Sequence, residues 1–130
     1  MSRLMSVALT ETAVRERRKT VTRRLGWLFL KPGDRLTLCR KVMGRKPGEP
    51  LVRIAEVEVV SVRREQLRHI APGETALEGF QNMTGGQFVE FFCEHMKCVP
   101  YTEVTRIEWR YLDEDAQRGS EAANDLPEAS

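Results

Sequence analysis

The stretch Leu51-Val52-Arg53-Ile54-Ala55-Glu56-Val57-Glu58-Val59-Val60-Ser61-Val62-Arg63 decides the fold. It is the longest β-like run in the chain, rich in β-branched residues and free of Gly and Pro. Its apolar positions change phase: Val52 and Ile54 share one parity, Val57 and Val59 take the other, and Val60 and Val62 return to the first. Side chains alternate across a strand, so one inserted residue moves every later side chain to the opposite face. The run is therefore expected to carry a bulge or sharp coil, the device that curves a sheet into a small barrel.

On the N-terminal side, residues 44–50 (Gly44-Arg45-Lys46-Pro47-Gly48-Glu49-Pro50) are a polar hairpin connection, preceded by a strand from Arg35 to Lys41 and a turn at Lys31-Pro32-Gly33-Asp34. Leu4 to Leu9 reads as a short buried strand, with Thr10 or Thr12 capping a short helix through Arg17. Beyond the long run, Glu65 to Ile70 allows one or two helical turns. Gln87 to Met96 is a stronger helix, with Phe88, Phe91 and Phe92 at i, i+3 and i+4 and expected to pack on the sheet. Val104 to Leu112 puts Thr105, Ile107, Trp109 and Tyr111 on one face and Arg106, Glu108 and Arg110 on the other, a half-buried strand. Short strands with two or three helices point to an α+β domain around a mostly antiparallel barrel.

The chain has 130 residues, enough for one domain to bury a core without disulfides or metal. No run approaches the roughly 18 apolar residues that span a bilayer, and the N-terminus lacks a signal-peptide layout, so a cytoplasmic location is expected. Cys39, Cys93 and Cys98 are an odd set, read as reduced thiols. The net charge of +2 conceals an asymmetry: residues 113–130 hold six acids and one base, so this tail carries −5 and residues 1–112 carry +7. The tail's composition predicts a disordered, solubilising extension of a domain at 1–112. The basic body favours a polyanionic partner.

That basicity concentrates in Arg17-Arg18-Lys19-Thr20-Val21-Thr22-Arg23-Arg24, five cations in eight residues. Guanidinium groups bind phosphates bidentately and hydroxyls add short hydrogen bonds, so the run suits a sugar-phosphate backbone or an anionic ligand edge; a solvated basic turn is the plain alternative. Trp27, beside Gly26, is divided between a base-stacking platform and a core plug, whereas core packing is the simpler account of Phe29.

Lys19-Thr20-Val21-Thr22-Arg23-Arg24, Pro32-Gly33-Asp34-Arg35-Leu36, the Val57-to-Val62 strand and Glu78-Gly79-Phe80, in that order, resemble the ASCH (activating signal cointegrator homology) domain over roughly residues 5–112. Arg17 stands where many members have glycine. The resemblance implies a PUA-like, mostly antiparallel β-barrel with two or three flanking helices and a cleft lined by the Lys-Thr-x-Thr-x-Arg loop. It implies RNA or a modified nucleoside as ligand; the residues expected to hold it are Arg18, Thr20, Arg23, Arg24 and Trp27 beside Lys19 and Thr22. Some members are amidohydrolases acting on N4-acetylcytidine, and their proposed catalytic group falls on Lys19, Thr22 and Glu78.

A threonine hydroxyl attacks only once a base takes its proton, which a desolvated lysine can do. On a regular strand Lys19 and Thr22 would face opposite sides, so their convergence requires a turn or bulge at 19–22. Phosphate binding without chemistry is the competing account of Lys19 and Thr22, and a salt bridge to Arg23 or Arg24 that of Glu78. Cys93-x-His95-x2-Cys98 has a zinc-like spacing, but no second paired motif completes it; no metal and no cofactor are expected. His69 reads as a surface or capping residue. Three functions stand: RNA or nucleobase binding, amidohydrolysis, and a protein-interaction module using the tail or the arginine-rich loop.

Overall fold

The computed structural model describes residues 2–112; the acidic tail lies outside them. Five strands form one sheet: β1 (Arg3–Ser6), β2 (Val21–Arg24), β3 (Arg35–Cys39), β4 (Arg53–Gln66) and β5 (Glu103–Tyr111). Their order is β1-β3-β4-β5-β2, with β1 parallel to β3 and every other pair antiparallel. Three helices accompany it: α1 (Glu11–Arg15), α2 (Glu74–Leu77) and α3 (Gly85–Met96). The sheet is a half-barrel, because its edges β1 and β2 do not pair. The Arg24 guanidinium spans the gap instead, donating from Nη2 to the carbonyl of Ser6 at 2.8 Å.

Both phase changes of the long run are bulges of β4. Against β3, Leu38 faces Ala55 and Cys39 faces Arg53, which leaves Ile54 as the extra residue. Against β5, Val59 faces Trp109 and Ser61 faces Glu108, which leaves out Val60. Ala55, Val57 and Val59 accordingly enter the core while Val60 stands exposed. Each inserted residue bends the strand and raises its twist, so β4 curves across 14 residues.

Two apolar clusters fill the domain. The first joins β1, β3, β4 and β5 through Met5, Leu36, Leu38, Val57, Ile107 and Trp109; the second packs Phe88 and Phe92 of α3 on Leu67 and Val104. Several expectations shift. Thr10 begins α1 without a side-chain cap, and the helix stops at Arg15. β4 runs on through Gln66, so the turn expected at 65–70 shrinks to a 3₁₀ turn at Leu67–His69. α2 was not anticipated, since four residues are too few to show a helical period.

β5 is buried on both faces over Val104–Ile107, while Glu108 is half-buried and Arg110 exposed on the face expected to be polar. Arg106 is buried because Glu74 of α2 neutralises it with a two-point ion pair of 2.8 and 3.0 Å. Phe29, assigned to the core, is 53% exposed; the Arg3 guanidinium lies 4.2 Å over its ring. Trp27 packs partly buried against the first cluster. No helix among the described residues is long and apolar enough to cross a membrane.

Candidate functional site

Lys19 lies between α1 and β2, outside the strand ladder, so strand parity does not govern its side chain. Its carbonyl accepts hydrogen bonds from Trp109 Nε1 (3.0 Å) and from the Tyr111 hydroxyl, both on β5. The next N–H, of Thr20, donates to the carbonyl of Leu77 at 2.9 Å and ties the start of β2 to the end of α2. Glu78 follows that helix. The Lys19 amine donates to the Glu78 carbonyl at 2.6 Å and to its Oε1 at 3.3 Å, with both residues buried.

Gly79 makes this approach possible. It holds φ +100, and a Cβ there would sit 3.0 Å from Ala13 Cβ and 3.2 Å from Thr10 Cγ2. A side chain would push α2 off α1 and lift Glu78 from Lys19. Arg17 adopts φ 63, in the left-handed region that favours glycine. Its Nη1 donates to the carbonyl of Val14 at 2.9 Å, and its guanidinium lies 5.0 Å from the Tyr111 ring centroid, contacts that hold the left-handed turn into Lys19.

The other face of Glu78 meets Arg23. Arg23 Nη1 donates to Glu78 Oε2 (2.8 Å), Nη2 to Glu74 Oε1 (2.6 Å) and Nε to Glu65 Oε2 (3.1 Å). Three carboxylates thus share one buried guanidinium, and Glu74 also holds Arg106, which lies opposite Arg23 in the β2–β5 register. Burial pulls the Arg23 pKa down, but Glu74 and Glu78 outweigh it and the net shift is upward. Arg106 and then Arg23, against some burial, hold the Glu74 carboxyl at about 2. Burial drives Lys19 the other way, to a pKa of about 8, because Glu78 offsets only part of the lost hydration and Arg24 and Arg23 repel its charge.

Arg24 differs from its neighbours. Its Nε donates to Thr22 Oγ1 at 3.2 Å and its Nη2 to Ser6 O, so among the described residues it meets neutral oxygens and no carboxylate within ion-pair distance. Burial lowers its pKa, with Glu78 acting in the opposite sense.

Lys19, Thr22, Arg23, Arg24 and Glu78 converge on one cavity of about 240 Å³ between the open edge of the half-barrel and α3. Its opposite wall is aromatic: Phe80 and Phe91 have ring centroids 5.5 Å apart, and His95 stacks on Phe91 at 5.9 Å with 8° between planes. Ser6 and Met96 also line the cavity. Three residues of the sequence reading lie elsewhere: Arg18 pairs with Glu16 at 2.6 Å beside a separate polar depression, and Thr20 and Trp27 are not part of the wall.

The aromatic wall and the Glu65–Glu74–Arg106 network escaped sequence reasoning. The signal for the wall was present in the i, i+4 pair Phe91 and His95, but the aromatic stripe of α3 reads as core, and only Phe88 and Phe92 are buried there. His69 sits in the 3₁₀ turn, away from the cavity.

No family model matches the sequence, and no curated protein matches it. Solved structures do. The chain is similar to protein EF3133 from Enterococcus faecalis V583, described under the family model DUF984, with a TM-score of 0.60 and 12% identity over 86% of this chain and 80% of that one. It is also similar to an ASCH domain from Lactobacillus crispatus JV V101, with a TM-score of 0.55 and 16% identity over 79% of this chain and 70% of that one. At such identities the likeness is one of fold: the chain has the fold of that ASCH domain, here an α+β half-barrel of five strands with three helices among the described residues.

Proposed function

We propose that this domain binds a nucleobase-sized ligand, as a modified nucleoside or as a base presented by RNA, in the cavity between the half-barrel and α3. The observation that carries the reading is the convergence of Lys19, Thr22, Arg24 and Glu78 opposite Phe80, Phe91 and His95 on one space of about 240 Å³. A planar heterocycle needs such a combination, aromatic faces for its π-surface and a few fixed donors and acceptors for its edge.

The charge pattern favours a small ligand over a phosphate track. Within the basic run Arg18, Lys19 and Arg23 already pair with glutamates, and Arg24 holds Thr22 and Ser6. Within this run few cations are left to neutralise a backbone. Isothermal titration of cytidine, N4-acetylcytidine and a short single-stranded RNA, each at two salt concentrations, tests this. A nucleoside is expected to bind with little salt dependence and to lose at least tenfold in affinity in Arg24→Gln. Binding of RNA alone, falling steeply with salt, would place the contact on surface phosphates and sink the reading.

Lys19 favours a second reading, amidohydrolysis of an N4-acylated cytidine. A buried lysine with a pKa of about 8 is poised to exchange a proton near neutrality. In such a reaction the Thr22 hydroxyl attacks the acyl carbonyl, Lys19 takes its proton, the cytidine amine leaves protonated, and water frees the acyl group from Thr22. The Lys19 amine donates to the Glu78 carbonyl, and the Thr22 hydroxyl accepts from Arg24 Nε. Release of acetate in the wild type, abolished in Lys19→Ala and in Thr22→Val, is the outcome this reading requires.

A further inference from the structure

α3 ends in a left-handed turn. Lys97 adopts φ 57 and ψ 50 and donates its N–H to the carbonyl of Cys93, and the Cys98 N–H donates to the same carbonyl at 3.1 Å. In this helix stop the residue that follows the left-handed position is folded back onto the residue five before it, and their side chains commonly touch. Here both are cysteines. The 3.1 Å hydrogen bond and standard bond lengths limit their Cα separation to about 7.3 Å with every bond collinear, and the bond angles at N and C bring the two Cα atoms closer than that. Disulfides span about 4.4–6.8 Å.

Both thiols are half-buried and pack on the cluster of Leu67, Phe88, Phe92 and Val104, and Cys39 is buried elsewhere. His95, between them in sequence, stacks on Phe91 and lines the ligand cavity. Among the described residues no three His, Cys, Asp or Glu side chains group as metal ligands. The zinc-like spacing thus resolves into a pair of thiols.

We propose that Cys93 and Cys98 are a dithiol site, closed to an intramolecular disulfide by low-molecular-weight disulfides such as oxidised glutathione. One protein thiolate attacks a sulfur of the oxidant, breaking its S–S bond and releasing one glutathione thiolate. The second protein thiolate then attacks the protein sulfur of that mixed disulfide, forming the Cys93–Cys98 bond and releasing the other glutathione. The protein gives up two electrons and two protons, and the oxidant is reduced to two thiols. Burial, and then the neighbouring Cys98 thiol, push the Cys93 thiol up, so the exchange quickens as pH rises. The bond closes over the same end of α3 that carries Phe91, His95 and Met96 into the cavity wall.

The test is incubation of the reduced full chain with oxidised glutathione at mildly alkaline pH, alkylation of remaining thiols, trypsin digestion and mass spectrometry. Trypsin cuts after Lys97, so the two cysteines leave in separate peptides unless a disulfide joins them. The expected product is that joined pair, two hydrogens lighter than the reduced peptides, separated by dithiothreitol and formed equally in Cys39→Ser. Cys93→Ser should instead stop at a glutathione adduct on Cys98. Wild-type protein that keeps free thiols, carries glutathione on both positions, or links Cys39 to either one overturns the proposal.

Discussion

At the scale of single residues, Lys19 is the buried cation of the cavity wall. Its pKa is lowered from 10.5 to about 8, so between those values the unfolded chain holds a proton that the folded chain has released. Stability tied to Lys19 therefore rises with pH across that window, and below pH 8 the full cost of the buried cation is present, on the order of 3 kcal/mol. Replacing Lys19 by Met is expected to flatten the difference between urea-derived stabilities at pH 7.5 and 10.5 relative to wild type. Gly79 has the complementary role, since it permits rather than forms the contact. Gly79→Ala must tolerate both φ +100 and the Ala13 contact, and a loss of about 2 kcal/mol or more is expected in thermal or urea unfolding.

At the scale of elements, the site depends on two helices that differ in length and in what holds them. α2, four residues long, is fixed by the ion pairs of Glu74 to Arg23 and Arg106. Glu74→Gln leaves two largely buried guanidinium groups short of an anion, and a loss of about 3 kcal/mol is expected. Because the Glu74 pKa is depressed to about 2, its contribution is present above about pH 4.5 and is lost as pH falls toward 2, so the variant should show a shallower acid-unfolding profile. α3 is held by sequence-local means: Thr84 and Gln87 form a reciprocal capping box, with bonds of 3.1 and 2.9 Å. Thr84→Ala should cost about 1 kcal/mol, and hydrogen exchange in the first turn of α3 would report it.

These elements also separate what is legible in a sequence from what is not. The two phase changes of residues 51–63 are visible because a bulge inverts parity, and the structure puts one at Ile54 and one at Val60. α3 is visible because its aromatics repeat at helical spacing. α2 is invisible, since its ion-pair partners lie on β2 and β5, 51 and 32 residues from Glu74 along the chain. Phe29 misled for a related reason: apolar residues beside a basic run read as core, yet the loop turns Phe29 outward under Arg3.

At the scale of the whole molecule, the half-barrel stays open between β1 and β2, and the cavity occupies that opening. Arg24 crosses it through Thr22 and Ser6. Arg24→Met is therefore expected to speed amide exchange in residues 3–6 and 21–24 more than in β4 and β5, a pattern that peptide-resolved hydrogen exchange would check; uniform change across the sheet would mean that Arg24 does not close the edge. The sequence by itself determined the α+β class, the curvature of β4 and the aromatic helix, because period and parity act locally. Tertiary structure alone decided which cations meet carboxylates and which is left to face the cavity, and that Phe80, Phe91 and His95 form its wall. Burial and counter-charges are supplied by residues far apart in the chain, and only folding brings them within a few ångströms.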